Sequence, residues 1–296
     1  MQQRSLALSA LFLIAVLAAC GGGDPAARGP QPGSAAWHWE GGVENFDSGD
    51  FAKAVEHIND VAGREDPLAE PAVLWRTSTL IGLSRGYMEV VDACRAGIEE
   101  DESRDAAYQN IIQQANRDGR QFAIELAESM GEVEKIVAAG DVKLDFPFPS
   151  GSASRPNMLL AVESGDAVPS EQMPGVVEAT LRRGLIRAAA ELGGFDADAG
   201  NEASAKFGEG PVTVPADDFR KIMAKVLLDV SLLFSRERVN QPDVRKIFIE
   251  RAEGWAAPFA ESEDEDDKTW AEEFAKEVED EQRDIERKAR RLGKRK

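Results

Sequence analysis

The sequence predicts a mainly α protein built from helical hairpins, with a small irregular or two-stranded insert and a charged C-terminal helix. Hydrophobic residues make up 43% of the chain, enough for a folded core, and they recur at helical spacing over most of residues 37–260. Between residues 37 and 138, a glycine shortly before an aromatic residue recurs at intervals of 35 and 36 residues. Intervals of this length are typical of helix-turn-helix units that stack to bury a shared apolar face.

Residues 1–19 have the layout of a secretory signal peptide. Residues 6–19 are uncharged and apolar, but this run is shorter than the roughly 18–20 apolar residues that a membrane-spanning helix needs. The run ends in Leu17-Ala18-Ala19-Cys20, which resembles the lipobox of bacterial lipoproteins. The resemblance implies that a signal peptidase recognises Leu17, Ala18 and Ala19, and that Cys20 becomes the lipidated first residue. An ordinary cleaved signal with a chance cysteine is the alternative.

The same resemblance implies a membrane address. Cys20 would carry a diacylglyceryl group and an N-acyl chain, which together hold a protein stably on a membrane where one chain alone binds only marginally. Gly21, where aspartate would signal retention in the inner membrane, implies the outer membrane facing the periplasm. Residues 20–36, rich in Gly, Pro and Ala, predict a flexible tether that spans on the order of 20–25 Å.

The chain is strongly acidic, with 54 Asp and Glu against 35 Lys and Arg and a formal charge of −19. Cleavage after residue 19 would remove Arg4 and bring this charge to −20. A surface of this sign repels nucleic acid at long range, so no nucleic-acid partner is expected. The second of the two cysteines, Cys94, falls on an apolar helix face, which predicts a buried core thiol.

The glycine–aromatic repeat resembles the tetratricopeptide repeat. Gly42, Phe51 and Ala54 occupy the places where that family has the small residue of the helix contact, the aromatic after the turn and the following alanine. Tyr87 and Phe122 stand in the place of Phe51 in two further copies. The resemblance implies an α-solenoid whose curved surface docks a partner's peptide or helix. An irregular helical bundle with chance glycine–aromatic pairs is the alternative.

Residues 139–172 interrupt the helical pattern. Val142, Leu144 and Phe146 alternate with charged residues, which predicts a short strand. Residues 158–162 are predicted either as a second strand paired with the first or as a turn of helix.

Helices resume over residues 173–260, as a further bundle or as degenerate repeats. They are predicted at 174–192, where two glycines follow, and at 215–234, where a proline suits the first turn. Asn240 is predicted to cap the next helix.

Residues 261–296 predict a charged tail helix that protrudes or docks loosely. An acidic run occupies 261–267, and 287–296 contains seven basic residues in ten. Apolar residues recur every seven positions at Ala271, Val278, Ile285 and Leu292.

No pattern of catalytic or metal-binding chemistry is recognised. The chain has only two histidines, His38 and His57, and contains no HExxH, CxxC or phosphate-loop motif. Residues 196–202 distantly resemble a calcium loop but have Phe207 where a closing glutamate is needed. We therefore assign no catalytic residue, metal or cofactor, and do not expect an enzyme.

The sequence favours a lipid-anchored cell-envelope protein that acts as a scaffold for an unknown envelope protein or peptide. Trp75, Arg76 and Arg85 of the repeats are predicted to line its binding groove. One alternative is a ligand-binding accessory of an envelope transport system, with an apolar cavity between the helices. Another is a structural tether, because the basic end Lys294-Arg295-Lys296 resembles the terminus by which the major outer-membrane lipoprotein attaches to peptidoglycan.

Overall fold

The computed structural model describes residues 29–235 and 238–293, without the side chains of residues 288–293. The predicted signal, Cys20 and the first part of the tether lie outside these residues, as does the basic end at 294–296. The described part is mainly helical, as the sequence predicts, with a two-stranded sheet. None of its helices combines the length and the apolar character needed to span a membrane.

The helices follow one another closely along the chain. In order they are α1 (Ala35–Ser48), α2 (Phe51–Ala62), α3 (Ala69–Glu100), α4 (Asp105–Ala139), α5 (Asn157–Glu163), α6 (Met173–Leu192), α7 (Gly200–Glu209), α8 (Ala216–Ser231), α9 (Pro242–Ala260) and α10 (Glu265–Gly293). Single turns of 3-10 helix lie at Glu102–Arg104 and Leu232–Phe234. Strand β1 (Val142–Leu144) pairs antiparallel with β2 (Val212–Val214).

The first predicted hairpin is confirmed by α1 and α2. Gly49 follows α1 at a φ of 87°, a left-handed conformation that favours glycine. The Asp50 carboxylate then accepts a hydrogen bond of 3.3 Å from the Lys53 backbone N–H and so caps the start of α2. Phe51, directly after the turn, and Gly42, on the facing side of α1, are both buried.

The two further turns predicted from the repeat are not present. Tyr87 lies inside α3, which continues for 32 residues, and Phe122 lies inside α4, which continues for 35. Gly119 marks a helix contact instead, because a Cβ added there would lie 2.9 Å from the Tyr87 Cβ. A glycine beside an aromatic residue serves a tight turn and a close helix contact equally well, so the sequence pattern does not distinguish the two.

α3 is a central helix of the bundle. It contacts α2, α4, α5 and α6, and 18 of its 32 residues are buried. Thr77, Thr79 and Ser84 are buried with them, and each hydroxyl donates a hydrogen bond of 2.7–2.8 Å to the carbonyl four residues earlier. With these polar groups satisfied inside the helix itself, α3 can be covered by apolar neighbours on several sides.

α3 and α6 meet backbone to backbone. A Cβ added at Gly82 would lie 2.6 Å from the Leu185 Cα, and one added at Gly184 would collide with the Gly82 carbonyl oxygen. One turn further along, a Cβ at Gly86 would lie 3.0 Å from the Leu181 Cα. No side chain separates the two helices at this crossing, so glycine is required there.

In the insert, the predicted strand at Val142 and Leu144 is present, and residues 158–162 form a helix and not a second strand. β1 covers Val142 and Leu144 as predicted, but its partner β2 lies about 70 residues further along the chain. Residues 158–162 belong to α5 and are therefore helical. Phe146 follows β1 and packs against Phe207, with 5.4 Å between the ring centroids.

The later helices agree with the sequence, apart from one cap. The segments predicted at 174–192 and 215–234 correspond to α6 and to α8 with its following 3-10 turn. Asn240 does not cap α9, because it adopts a φ of 54° and α9 begins after Gln241.

The tail helix α10 is docked on α9 over its first half. Ala271, Phe274 and Val278 are buried. Arg245 of α9, which is 3% exposed, forms an ion pair with Glu281 of α10. Apolar contacts and a buried charge together hold the helix against the bundle.

We expect the substitution Gly184→Ala to lower the free energy of unfolding by about 1–3 kcal/mol, because the new methyl group overpacks the α3–α6 contact. The matched control is Gly175→Ala in the same helix, where no atom lies within 4 Å of the added Cβ. Alanine at 175 should be neutral or stabilise by up to about 1 kcal/mol through its higher helix propensity. Urea unfolding followed by circular dichroism compares the two, and equal effects would contradict the close contact.

Candidate functional site

Two adjoining cavities form a groove along α4. The first lies between α2 and α4 and has a volume of about 600 Å³, and the second lies between α4 and α6 and has a volume of about 690 Å³. Ala52, Tyr87 and Phe122 line both, so the cavities meet at these residues. We call this combined surface the α4 groove. Its α4 wall runs from residue 107 to residue 132, which is about 37 Å of helix.

On each helix, the residues that line the groove lie on one face. Along α2 the groove is lined at positions 52, 55, 56 and 59, the spacing of one helix face. α3 forms the floor through Leu80 and Tyr87, which lie about two turns apart. In the second cavity the wall opposite α4 is formed by the first turns of α6, beginning at Met173.

The junction of the two cavities is aromatic. The rings of Tyr87 and Phe122 are stacked, with 6.1 Å between their centroids and 10° between their planes. Burial, with a smaller contribution from the charge of Asp118, raises the pKa of Tyr87 to about 12. The Tyr87 hydroxyl therefore keeps its proton to a higher pH than an exposed tyrosine does.

The half of the groove between α4 and α6 is mostly apolar. Ile111 and Ala115 line it from α4, and Val177 and Leu181 line it from α6. Phe51 lines it at the α1–α2 turn, with the Arg182 guanidinium 5.4 Å from its ring centroid. This arrangement suits an apolar side chain or ligand group.

The half between α2 and α4 is acidic. Five carboxylates line it, those of Glu56, Asp118, Glu125, Glu128 and Glu132, against a single guanidinium. Within the described part of the chain, Glu56, Glu125 and Glu128 form no salt bridge. Three of the five carboxylates in this half therefore carry a charge that no salt bridge among the described residues neutralises.

The structure places one of the three residues predicted to line the groove there. Arg76 lines the acidic half, where it pairs with Glu132 and donates a hydrogen bond of 3.2 Å to Asn59. Trp75 is buried at 1% exposure, with its ring 4.9 Å from that of Trp39, and so does not reach the surface.

Arg85 lies on the other side of α3. Nine residues separate it from Arg76, and at about 100° per residue this is half a turn out of phase. It pairs with Glu191 of α6 and Asp229 of α8 and lines a separate cavity of about 360 Å³. Because Arg85 is held between these two carboxylates, its role is to connect helices and not to bind a partner.

The acidic wall of α4 was not identified from the sequence, although a signal for it exists. Asp118, Glu125 and Glu132 recur every seven residues and flank Phe122 on the same helix face. Among 54 acidic residues that spacing alone does not mark a site. Only the position of α2 opposite makes these carboxylates converge.

Leu17, Ala18, Ala19 and Cys20 lie outside the described residues. Cys94 is fully buried, and burial raises the pKa of its thiol to about 12.

The two histidines meet across the first hairpin. The Nδ1 atoms of His38 and His57 lie 3.2 Å apart, and Asp60 lies 3.1 Å from His38. Within residues 29–235 and 238–293, no group of three or more His, Cys, Asp or Glu side chains is placed to hold a metal ion.

Comparison with protein-family models, with curated proteins and with solved structures finds no significant match for this chain. Its function is therefore inferred from its own residues.

The environment of Tyr87 is measurable by alkaline titration. In a Tyr108→Phe variant Tyr87 is the only tyrosine, and its tyrosinate absorbance after rapid pH jumps should rise with a midpoint of about pH 12. The unfolded chain loses this proton near pH 10, so the free energy of unfolding should fall between about pH 10 and 12. A midpoint near 10 would contradict the burial of the Tyr87 hydroxyl.

Proposed function

We propose that this chain is a lipid-anchored protein of the bacterial cell envelope, on the outer membrane facing the periplasm, that docks a polypeptide partner in the α4 groove. The observation that carries the proposal is the groove itself, a surface about 37 Å long that is apolar at one end and acidic at the other. Small-molecule sites enclose most of their ligand, whereas a long open groove suits a helix or an extended peptide.

The lipobox resemblance at Cys20 supports the anchor. The predicted tether would hold the helical body away from the bilayer, where the groove meets partners in the periplasm. The α1–α2 hairpin, with Gly42 and Phe51 in their expected places, supports a tetratricopeptide-like character for that part of the fold. We extend this likeness no further along the chain, because α3 and α4 are continuous helices.

A second candidate function is favoured by the apolar half of the groove. Its volume of about 690 Å³ falls within the roughly 300–1,000 Å³ of small-molecule pockets. A lipid or another apolar ligand there would make the protein a binding accessory of an envelope transport system.

The lipid anchor is tested by labelling cells that express Cys20→Ser with a radioactive fatty acid. Without the thiol no lipid can be attached, so the variant should take up no label and lack the mass of the lipid groups. The matched control is Cys94→Ser, which changes the buried thiol and should leave both properties unchanged. If the Cys20→Ser protein took up the label as the unaltered protein does, the anchor would be disproved.

The docking site is tested by a photo-crosslinking amino acid at Gln121, which is exposed and lines the groove. In intact envelopes we expect an adduct of polypeptide size at this position. The control position is Lys246 of α9, exposed and remote from the groove, where no such adduct should form. An adduct of lipid size at Gln121 would favour the second candidate function, and no adduct at all would contradict both.

A further inference from the structure

We propose that the partner segment bound by the α4 groove is a cationic amphipathic helix. This inference rests on the proposed docking function and specifies the chemistry of its partner. It follows from three properties of the groove: its length, the order of its apolar and acidic halves, and the three carboxylates that have no salt bridge within the described residues.

The length of the groove matches a helix of moderate size. At about 1.5 Å per residue, the 37 Å of the α4 wall accommodates about 25 residues of partner helix lying along it. The walls and the floor are themselves helices, and a helix seated on neighbouring helices buries one face through apolar anchors spaced three and four residues apart.

Apolar anchors are available along one half of the groove and at its junction. Ile111, Val177 and Leu181 line the apolar half, and the stacked rings of Tyr87 and Phe122 continue it towards the acidic half. A purely polar or purely charged segment would leave this surface without a partner. The segment must therefore present an apolar face.

Charge complementarity specifies the rest of the segment. The acidic half has five carboxylates against the one guanidinium of Arg76, which is already paired with Glu132. The cavity beside Arg85 is different, because its four carboxylates face five arginines. The cavity beside Lys221 is also balanced, with three carboxylates and three cations. The groove therefore carries a larger excess of negative charge than these two cavities, and the surface of α10 at residues 280–287, with four carboxylates against two arginines, is also acidic.

Lysine and arginine side chains flanking the apolar face of the partner would lie beside Glu56, Glu125 and Glu128. These carboxylates make no salt bridge within the described part of the chain, so a cation can approach without displacing one. The formal charge of −19 would also speed the encounter with a cationic segment at low ionic strength.

The test measures binding of a synthetic helix to the mature lipidated protein in zwitterionic detergent micelles. The probe is a fluorescent 20-residue peptide, with leucines spaced three and four residues apart and lysines at the other positions. A scrambled peptide of the same composition and a peptide with glutamate in place of lysine are the comparisons. After subtraction of the anisotropy measured in protein-free micelles, we expect binding of the lysine helix alone, weakening as salt is added.

Two pairs of variants locate the binding. Ala52→Trp fills the groove at its junction, and Ala179→Trp places the same side chain on an exposed face of α6 outside the groove. The triple variant E56Q/E125Q/E128Q removes three groove charges, and E272Q/E273Q/E277Q removes three exposed charges from α10. We expect each groove variant to weaken binding at least about tenfold and each control to change it less than about twofold.

The possible results distinguish the cationic-helix assignment from the proposed docking function. Equal binding of the scrambled peptide, or equal losses in groove and control variants, would overturn the cationic-helix assignment. A polypeptide crosslink at Gln121 would in that case still support docking. Should Ala52→Trp fail to fold, judged by its unfolding midpoint, the triple variants decide alone. The competing occupant is the basic tail of a second copy, and self-association that disappears when residues 287–296 are deleted would overturn the inference in its favour.

Discussion

The contact between α3 and α6 sets the spacing of two central helices of the bundle. At Gly82 and Gly184 the two backbones touch without a side chain between them. Because packed interiors deform little, a methyl group at this point would have to displace α6 along much of its length. The same device recurs where Gly119 of α4 meets Tyr87 of α3. α4 and α6 are thus each fixed against α3 through glycine, and the apolar half of the groove occupies the space left between them.

Charged side chains are paired inside the bundle, whereas several of those in the groove are not. Arg85, Arg183 and Arg245 are largely buried, and each pairs with carboxylates from other helices, so these charges connect parts of the fold. A buried cation without such partners would be destabilising by several kcal/mol, roughly 3–5 by comparison with other broken pairs. Among the groove carboxylates, those of Glu56, Glu125 and Glu128 form no salt bridge within the described part of the chain. Their charge costs the fold little and remains available to a ligand.

The parts of the fold that local signals determine could be predicted from the sequence. The first hairpin, β1, α6 and α8 each have their turn residues or apolar periodicity within a few positions. The later turns could not be predicted, because Gly119 looks the same whether it bends the chain or admits another helix. The pairing of β1 with β2 is also beyond local patterns, since it joins segments about 70 residues apart. The register of α3 separates Arg76 from Arg85, which the linear sequence groups together.

Carboxyl footprinting in isolated envelopes would test most directly whether the α4 groove is a docking site. A carbodiimide reagent labels exposed carboxylates, so the labelling of Glu56, Glu125 and Glu128 can be compared between the envelope-bound and the purified protein. Glu272, Glu273 and Glu277 of α10 serve as internal references on the same chain. An occupied groove predicts reduced labelling of the first three in envelopes, with the references unchanged. Equal labelling of the groove carboxylates in both states would contradict the account.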